Sequence, residues 1–151
     1  MRSLSLRMRP LRTLLAIGLV VAFAFLVSPK APAEPSSADA AAIRAVIEGQ
    51  IEAFRADDGE RAYGYAAPGI KQLFPSVEGF MRMIRLGYSP VYRPSAVVFG
   101  ALRESPHGPV KEVFLTDQAG NAWTALYTLE RQEDGSWLIS GCWLVRSGIS
   151  A

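Results

Sequence analysis

Cysteine and histidine are nearly missing from this 151-residue sequence, which holds one of each, Cys142 and His107. A lone thiol excludes an intramolecular disulfide, and one imidazole with no gathered carboxylates or thiols offers no recognisable zinc ligand set, which usually numbers four; no metal site is assigned. The sequence has no G-x-S-x-G elbow, so a Ser-His-Asp triad is not assembled from its scattered serines. It has no long apolar run either. The longest, from Leu14 to Val27, is fourteen residues, about 21 Å as a helix against a hydrocarbon core of about 30 Å. Acidic side chains are absent from the first 33 residues, which carry five basic ones. Without that segment the overall balance of 16 basic and 14 acidic residues becomes 11 and 14, a net charge of −3. With its Lys and Arg also dispersed, the remainder lacks the electrostatic footprint of a nucleic-acid binder, and no nucleic-acid partner is expected.

What is present begins with an export signal. Arg2, Arg7, Arg9 and Arg12 precede the apolar run, and Ala31-Pro32-Ala33 fits a small-x-small cleavage site that leaves Glu34 first. Residues 1–33 therefore read as a signal peptide, 34–37 as a flexible tether and 38–148 as one domain, placed in the periplasm or secreted. The alternative is an uncleaved anchor that holds the domain on the periplasmic side of the inner membrane. Cys142 is expected to be buried, because an exposed free thiol is a liability in an oxidising compartment.

Beyond the tether the pattern is first helical. Ser36 with Asp39 forms an acidic variant of a capping box, and Ile43, Val46, Ile47, Ile51 and Phe54 make one apolar stripe. Asp58 caps a short second helix that Pro68-Gly69 ends. A third runs from Val77 to Leu86 behind Ser76, with Gly87 and Pro90 closing it. After Pro94 the period becomes two, giving four strands: one around Val97 and Phe99, then Val110 to Thr116, Asn121 to Arg131 and Ser136 to Arg146. Short turns between them favour an antiparallel meander. In the last strand Trp137, Ile139, Gly141, Trp143 and Val145 share one parity, read as the core face, and Cys142 has the other. Three helices followed by four strands indicate an α+β fold.

The segments IEAFRADDGERAYGYAAPGIKQLF (51–74), GFMRMIRLGYSPVYRPSAVVFG (79–100) and GSWLISGCWLV (135–145) resemble the alphaproteobacterial DUF4864 family of small exported proteins, which has no assigned activity. The resemblance spans nearly the whole domain. It implies an NTF2-like cone, in which three N-terminal helices pack on a curved four-stranded antiparallel sheet around a pocket. A cystatin-like arrangement satisfies the same coarse pattern. In such a pocket tyrosine hydroxyls orient a ligand and arginines hold an anionic group, which makes Tyr63, Tyr88, Tyr92, Arg85 and Arg93 the candidate ligand-binding residues. Rim packing and surface ion pairs are the ordinary alternatives for the same side chains.

No catalytic residue is assigned. Asp57-Asp58 is the most suggestive acidic pair, yet neighbours on a helix point about 100° apart, so both cannot readily face one substrate. Helix capping is the simpler reading of Asp58, and an exposed turn that of His107. The expected function is a non-enzymatic module, with no cofactor, that binds a small apolar or amphipathic ligand or an envelope protein. A pocket enzyme with acid/base chemistry and a structural homodimer are the alternatives.

Overall fold

The computed structural model describes residues 35–147. The segment read as a signal peptide and the start of the tether lie outside the described residues. Among the described residues no helix is long and apolar enough to cross a membrane.

The first helix, α1, spans Ser37–Arg55, and Ser36 caps it as the sequence suggests. Ser36 Oγ accepts from the Asp39 N–H at 3.1 Å and donates to Asp39 Oδ2 at 2.8 Å. The other Asp39 oxygen accepts from Trp137 Nε1 at 3.1 Å. One side chain thus satisfies a helix start and ties it to a strand almost a hundred residues away. These bonds, that from Ser36 first, hold the Asp39 carboxyl below its ordinary pKa. The buried face of α1 carries Ile43, Ile47, Ile51 and Phe54, with Gln50 between them. At its end Asp57 takes φ 55°, the left-handed conformation that reverses the chain after many helices. Asp58 then caps α2, Gly59–Gly64, accepting from the Arg61 N–H at 3.0 Å.

Five helices form where the sequence suggests three. The additional ones, α3 at Pro68–Leu73 and α5 at Ser89–Tyr92, each carry proline in the first turn. Proline has no N–H to lose there and its fixed φ suits a helix start, so Pro68 and Pro90 open helices where they were expected only to close them. Between them lies α4, Val77–Gly87, whose Ser76 cap accepts from the Gly79 N–H. Phe80, Met81 and Ile84 are buried, while Leu86 faces solvent.

Strands β1 (Ala96–Arg103), β2 (Val110–Thr116), β3 (Ala122–Arg131) and β4 (Trp137–Arg146) form an open antiparallel sheet in chain order. The fold is α+β, with the helices over one sheet face. Ala125, Tyr127 and Leu129 of β3 meet Val113 and Leu115 of β2 and the α1 stripe in the core.

Two bulges decide which side chains reach that core. In β1 the register slips between Phe99 and Leu102, so Leu102 joins Val97 and Phe99 against the core in place of Ala101. In β4, Gly141 pairs with Thr128 and Ile139 with Leu129, leaving Ser140 as an extra residue. An extra residue reverses side-chain parity beyond it. Trp137 and Ile139 pack inward as expected, but Cys142 and Leu144 now do so too, and Trp143 and Val145 turn outward, 59% and 52% exposed. The expectation that Trp143 and Val145 fill the core, with Cys142 facing away, fails at this bulge. Beside it Ile139 donates its N–H to the Tyr65 carbonyl and accepts from the Ala67 N–H, so the α2–α3 link covers the edge of β4 there.

Candidate functional site

Between the helices and the inner face of β3–β4 lies a cleft of about 370 Å³, within the range of small-molecule sites. Phe54 of α1, Phe74 at the C-terminal end of α3 and Phe80 of α4 form an aromatic wall, with ring centroids 6.2 Å apart for Phe54–Phe80 and 6.5 Å for Phe74–Phe80. Met83, Ile84 and Val91 continue the apolar lining, and Tyr127, Ile139 and Cys142 line the sheet side. Leu73 of α3 and Trp143 of β4, both largely exposed, stand at its rim. No described side chain lining the cleft carries a formal charge.

Its polar side chains are few, and three of them make hydrogen bonds within the protein. Gln50 donates through Nε2 to the Ala62 carbonyl at 3.2 Å, and Ser140 donates to Thr128 Oγ1 at 3.1 Å. Tyr88 donates its hydroxyl to the Cys142 carbonyl at 3.1 Å. Tyr127 is the exception. It is 1% exposed, and its hydroxyl is the one buried side-chain polar atom among the described residues without a hydrogen-bond partner. Buried polar groups are nearly always paired, since an orphan costs about 1–3 kcal/mol.

Burial also sets the protonation of these groups. It pushes the Cys142 thiol up to about 12 and raises Tyr127 well above the usual phenol range. Tyr88 is raised by burial first and by the neighbouring Cys142 second. At neutral pH all three keep their protons. A protonated thiol is a poor nucleophile, and no lining group is available to take a proton there.

The five candidate ligand residues fall into three places. Tyr88 lines the cleft. Tyr63 packs tilted against Phe80, ring centroids 5.3 Å apart, and donates its hydroxyl to the Phe74 carbonyl at 2.6 Å, bracing the aromatic wall from behind. Tyr92, Arg85 and Arg93 gather on the surface around Asp57: Tyr92 and Arg93 donate to its two carboxylate oxygens, and Arg85 donates to the Tyr92 hydroxyl at 3.3 Å. Asp57 thus occupies the position in which these arginines would hold an external anion. Asp58 is a cap, and exposed His107 donates its N–H to Ser105 Oγ in a turn. Among the described residues no three His, Cys, Asp or Glu side chains cluster as a metal site.

Sequence reasoning passed over Tyr127, Gln50 and Cys142 as site residues. Two of them were marked: Tyr127 is a hydroxyl on the core parity of β3, and Gln50 an amide inside an apolar helix stripe. A second hollow, about 480 Å³, runs between α1 and β1 beside Arg44, Glu48, Glu52 and Arg55. Those side chains already have partners: Arg44 pairs with Glu48, Arg61 with Glu52, and Arg55 donates to the Pro94 carbonyl. The apolar cleft, with its orphan hydroxyl, is the stronger site.

A family model described as "Domain of unknown function (DUF4864)" matches residues 36–150. No curated protein and no solved structure matches the chain.

Proposed function

The chain belongs to the DUF4864 family, whose description assigns no activity, and we propose from the cleft that it is a binding module for a small apolar or amphipathic molecule. The observation that carries this reading is the Tyr127 hydroxyl, buried without a partner where an apolar cleft meets the sheet. Helices on one face of an antiparallel sheet with a cleft between them support an NTF2-like arrangement. The basic, apolar and small-residue pattern of residues 1–33 supports action outside the cytoplasm. The lack of a proton acceptor in the lining favours binding over acid/base catalysis. The test is saturable binding of the apolar dye N-phenyl-1-naphthylamine to the full chain. Met83→Trp, which fills the cleft from α4, should weaken it at least tenfold while leaving the circular dichroism spectrum unchanged. An unchanged affinity in that variant would place the dye elsewhere and defeat the reading.

The outer sheet face favours a second reading, self-association. Val98, Phe114 and Val145 are 61%, 44% and 52% exposed, and cross-strand register joins them through Thr124, with Leu126 and Trp143 paired in the next row. Four strands about 4.8 Å apart and about eight residues long give a plane of roughly 500 Å² before side-chain relief is counted. That approaches the roughly 800 Å² per partner of a stable dimer. The flanking Arg103 and Glu112 pair with each other at 3.6 Å, so a second copy meets an apolar centre with balanced charge at one side. Sedimentation velocity should show a dimer that Phe114→Glu converts to monomer. A wild-type monomer at about 100 μM would exclude this association at working strength.

A further inference from the structure

We propose that the ligand of the cleft is an uncharged amphiphile whose single acceptor group, a ketone, ester or hydroxyl oxygen, hydrogen-bonds to Tyr127, with its apolar tail running to the rim at Leu73 and Trp143. This rests on the reading of the cleft as a binding site and names what it takes.

The charge argument is one of desolvation. A carboxylate or ammonium moved into an apolar site needs a counter-charge or several hydrogen bonds to offset lost hydration. The lining offers no counter-charge, and the nearest candidates by sequence, Arg85 and Arg93, are committed to Asp57 outside it. The Cys142, Tyr88 and Tyr127 protons also stay in place at neutral pH, so a cation finds no anion to meet.

Donor accounting fixes the head group. Tyr88 spends its proton on the Cys142 carbonyl, Gln50 donates to Ala62 and Ser140 to Thr128. Tyr127 O–H is the one lining hydroxyl left without an acceptor, beside the second N–H of the Gln50 amide, and a thiol is only a weak donor. The matching ligand therefore presents an acceptor. One such oxygen satisfies the orphan hydroxyl, and most of the remaining lining, Phe54, Phe80 and Ile84 among it, is apolar.

Burial gives the direction. Tyr127 is 1% exposed, whereas Leu73 and Trp143 are 75% and 59% exposed, so the head lies deep and the tail points outward. At about 30 Å³ per water-sized group, 370 Å³ accommodates about twelve non-hydrogen atoms. Tails longer than that emerge between the two rim residues and gain little further affinity.

The experiment is displacement of N-phenyl-1-naphthylamine from the full chain at pH 7.5 by decan-2-one, decanoate and decylamine, in wild type and in Tyr127→Phe. The expected result is that decan-2-one displaces the dye at least tenfold more effectively than either charged compound. Tyr127→Phe should weaken the ketone five- to tenfold more than it weakens the dye. Equal potency of decanoate or decylamine, or a ketone affinity indifferent to Tyr127→Phe, overturns the head-group assignment while ligand binding stands. Failure of the dye to bind, or of every compound to displace it, overturns the binding reading itself. Should Tyr127→Phe not fold, the charge series on the wild-type chain decides the matter alone.

Discussion

Replacing Tyr127 by phenylalanine removes one oxygen and keeps the ring, so it isolates the hydroxyl that gives the cleft its character. In most cores this change costs stability, because the hydroxyl has a partner that is then left alone. Here it has none, and the residue is buried among Ala125, Leu129 and Cys142 of the sheet and the helices above them. The unfolded chain hydrates that hydroxyl and the folded chain does not, a penalty of about 1–3 kcal/mol that the variant escapes. Part of the gain is offset because the ring then leaves a slightly larger void. The net expectation is a stabilisation of about 1–2 kcal/mol in ligand-free protein. With a urea m-value of about 1.2 kcal/mol/M for a domain of this size, the midpoint should rise by roughly 1 M. Urea unfolding followed by tryptophan fluorescence reads this directly, and an unchanged slope shows that the same surface is exposed. A midpoint lowered by 0.5 M or more would mean the hydroxyl is satisfied in the folded protein, and the reasoning from an orphan donor would be wrong.

Phe54 is fully buried beside Phe80 and Tyr92, so Phe54→Ala should cost about 3–5 kcal/mol in denaturant unfolding; a loss below about 1 kcal/mol would contradict the core described. Asp58→Ala should cost about 0.5–2 kcal/mol by removing the acceptor for the Arg61 N–H, while Asp58→Asn, whose amide oxygen still accepts, should stay near wild type. Equal losses in the two would reject a hydrogen-bond cap. Asp117 accepts from Trp123 Nε1 and from Asn121, and these bonds, that from Trp123 first, lower its pKa to about 2. Because the folded value is depressed, its contribution is present above the ordinary carboxylate pKa and disappears as pH falls from about 4 to about 2. Asp117→Asn should therefore flatten the acid limb of stability against pH across that window, and an unchanged limb would show that other carboxylates set it.

Capping and periodicity made most of the secondary structure legible. Ser36, Asp58 and Ser76 cap the helices expected of them, and the alternation through Val113, Leu115, Ala125, Tyr127 and Leu129 put the correct face of two strands into the core. Proline was misread because it ends a helix and begins one by the same property, a missing N–H, and only the next few residues distinguish the cases. The candidate site was less legible. Tyr63, Tyr92, Arg85 and Arg93 were singled out by residue type, whereas partners distant in sequence, Phe74 and Asp57, determine where they point. An orphan hydroxyl is invisible to pattern by nature, since it is defined by bonds that no neighbour makes.

The Ser140 bulge links the cleft to the outer face. With an unbroken strand, the parity of Trp137 and Ile139 would carry Trp143 and Val145 inward and expose Cys142 and Leu144. Two large side chains would then crowd the helix side opposite Ala125 and Tyr127, the space beside Tyr127 would be filled, and the outer face would lose Trp143 and Val145. One extra residue places the small Cys142 across from Tyr127, where it leaves room, and sends Trp143 to the rim beside Leu73. Gly141 permits the turn of the strand there: a Cβ at this position would stand 2.8 Å from Thr128 Oγ1. The bulge is also where the α2–α3 link pairs with Ile139, so the residues that open the cleft are fixed by backbone hydrogen bonds rather than by side-chain packing alone. Cleft and outer face are therefore consequences of the same local geometry, and a change at Ser140 or Gly141 that restores regular pairing should alter ligand binding and self-association together, whereas Phe114→Glu should touch only the second and Tyr127→Phe only the first.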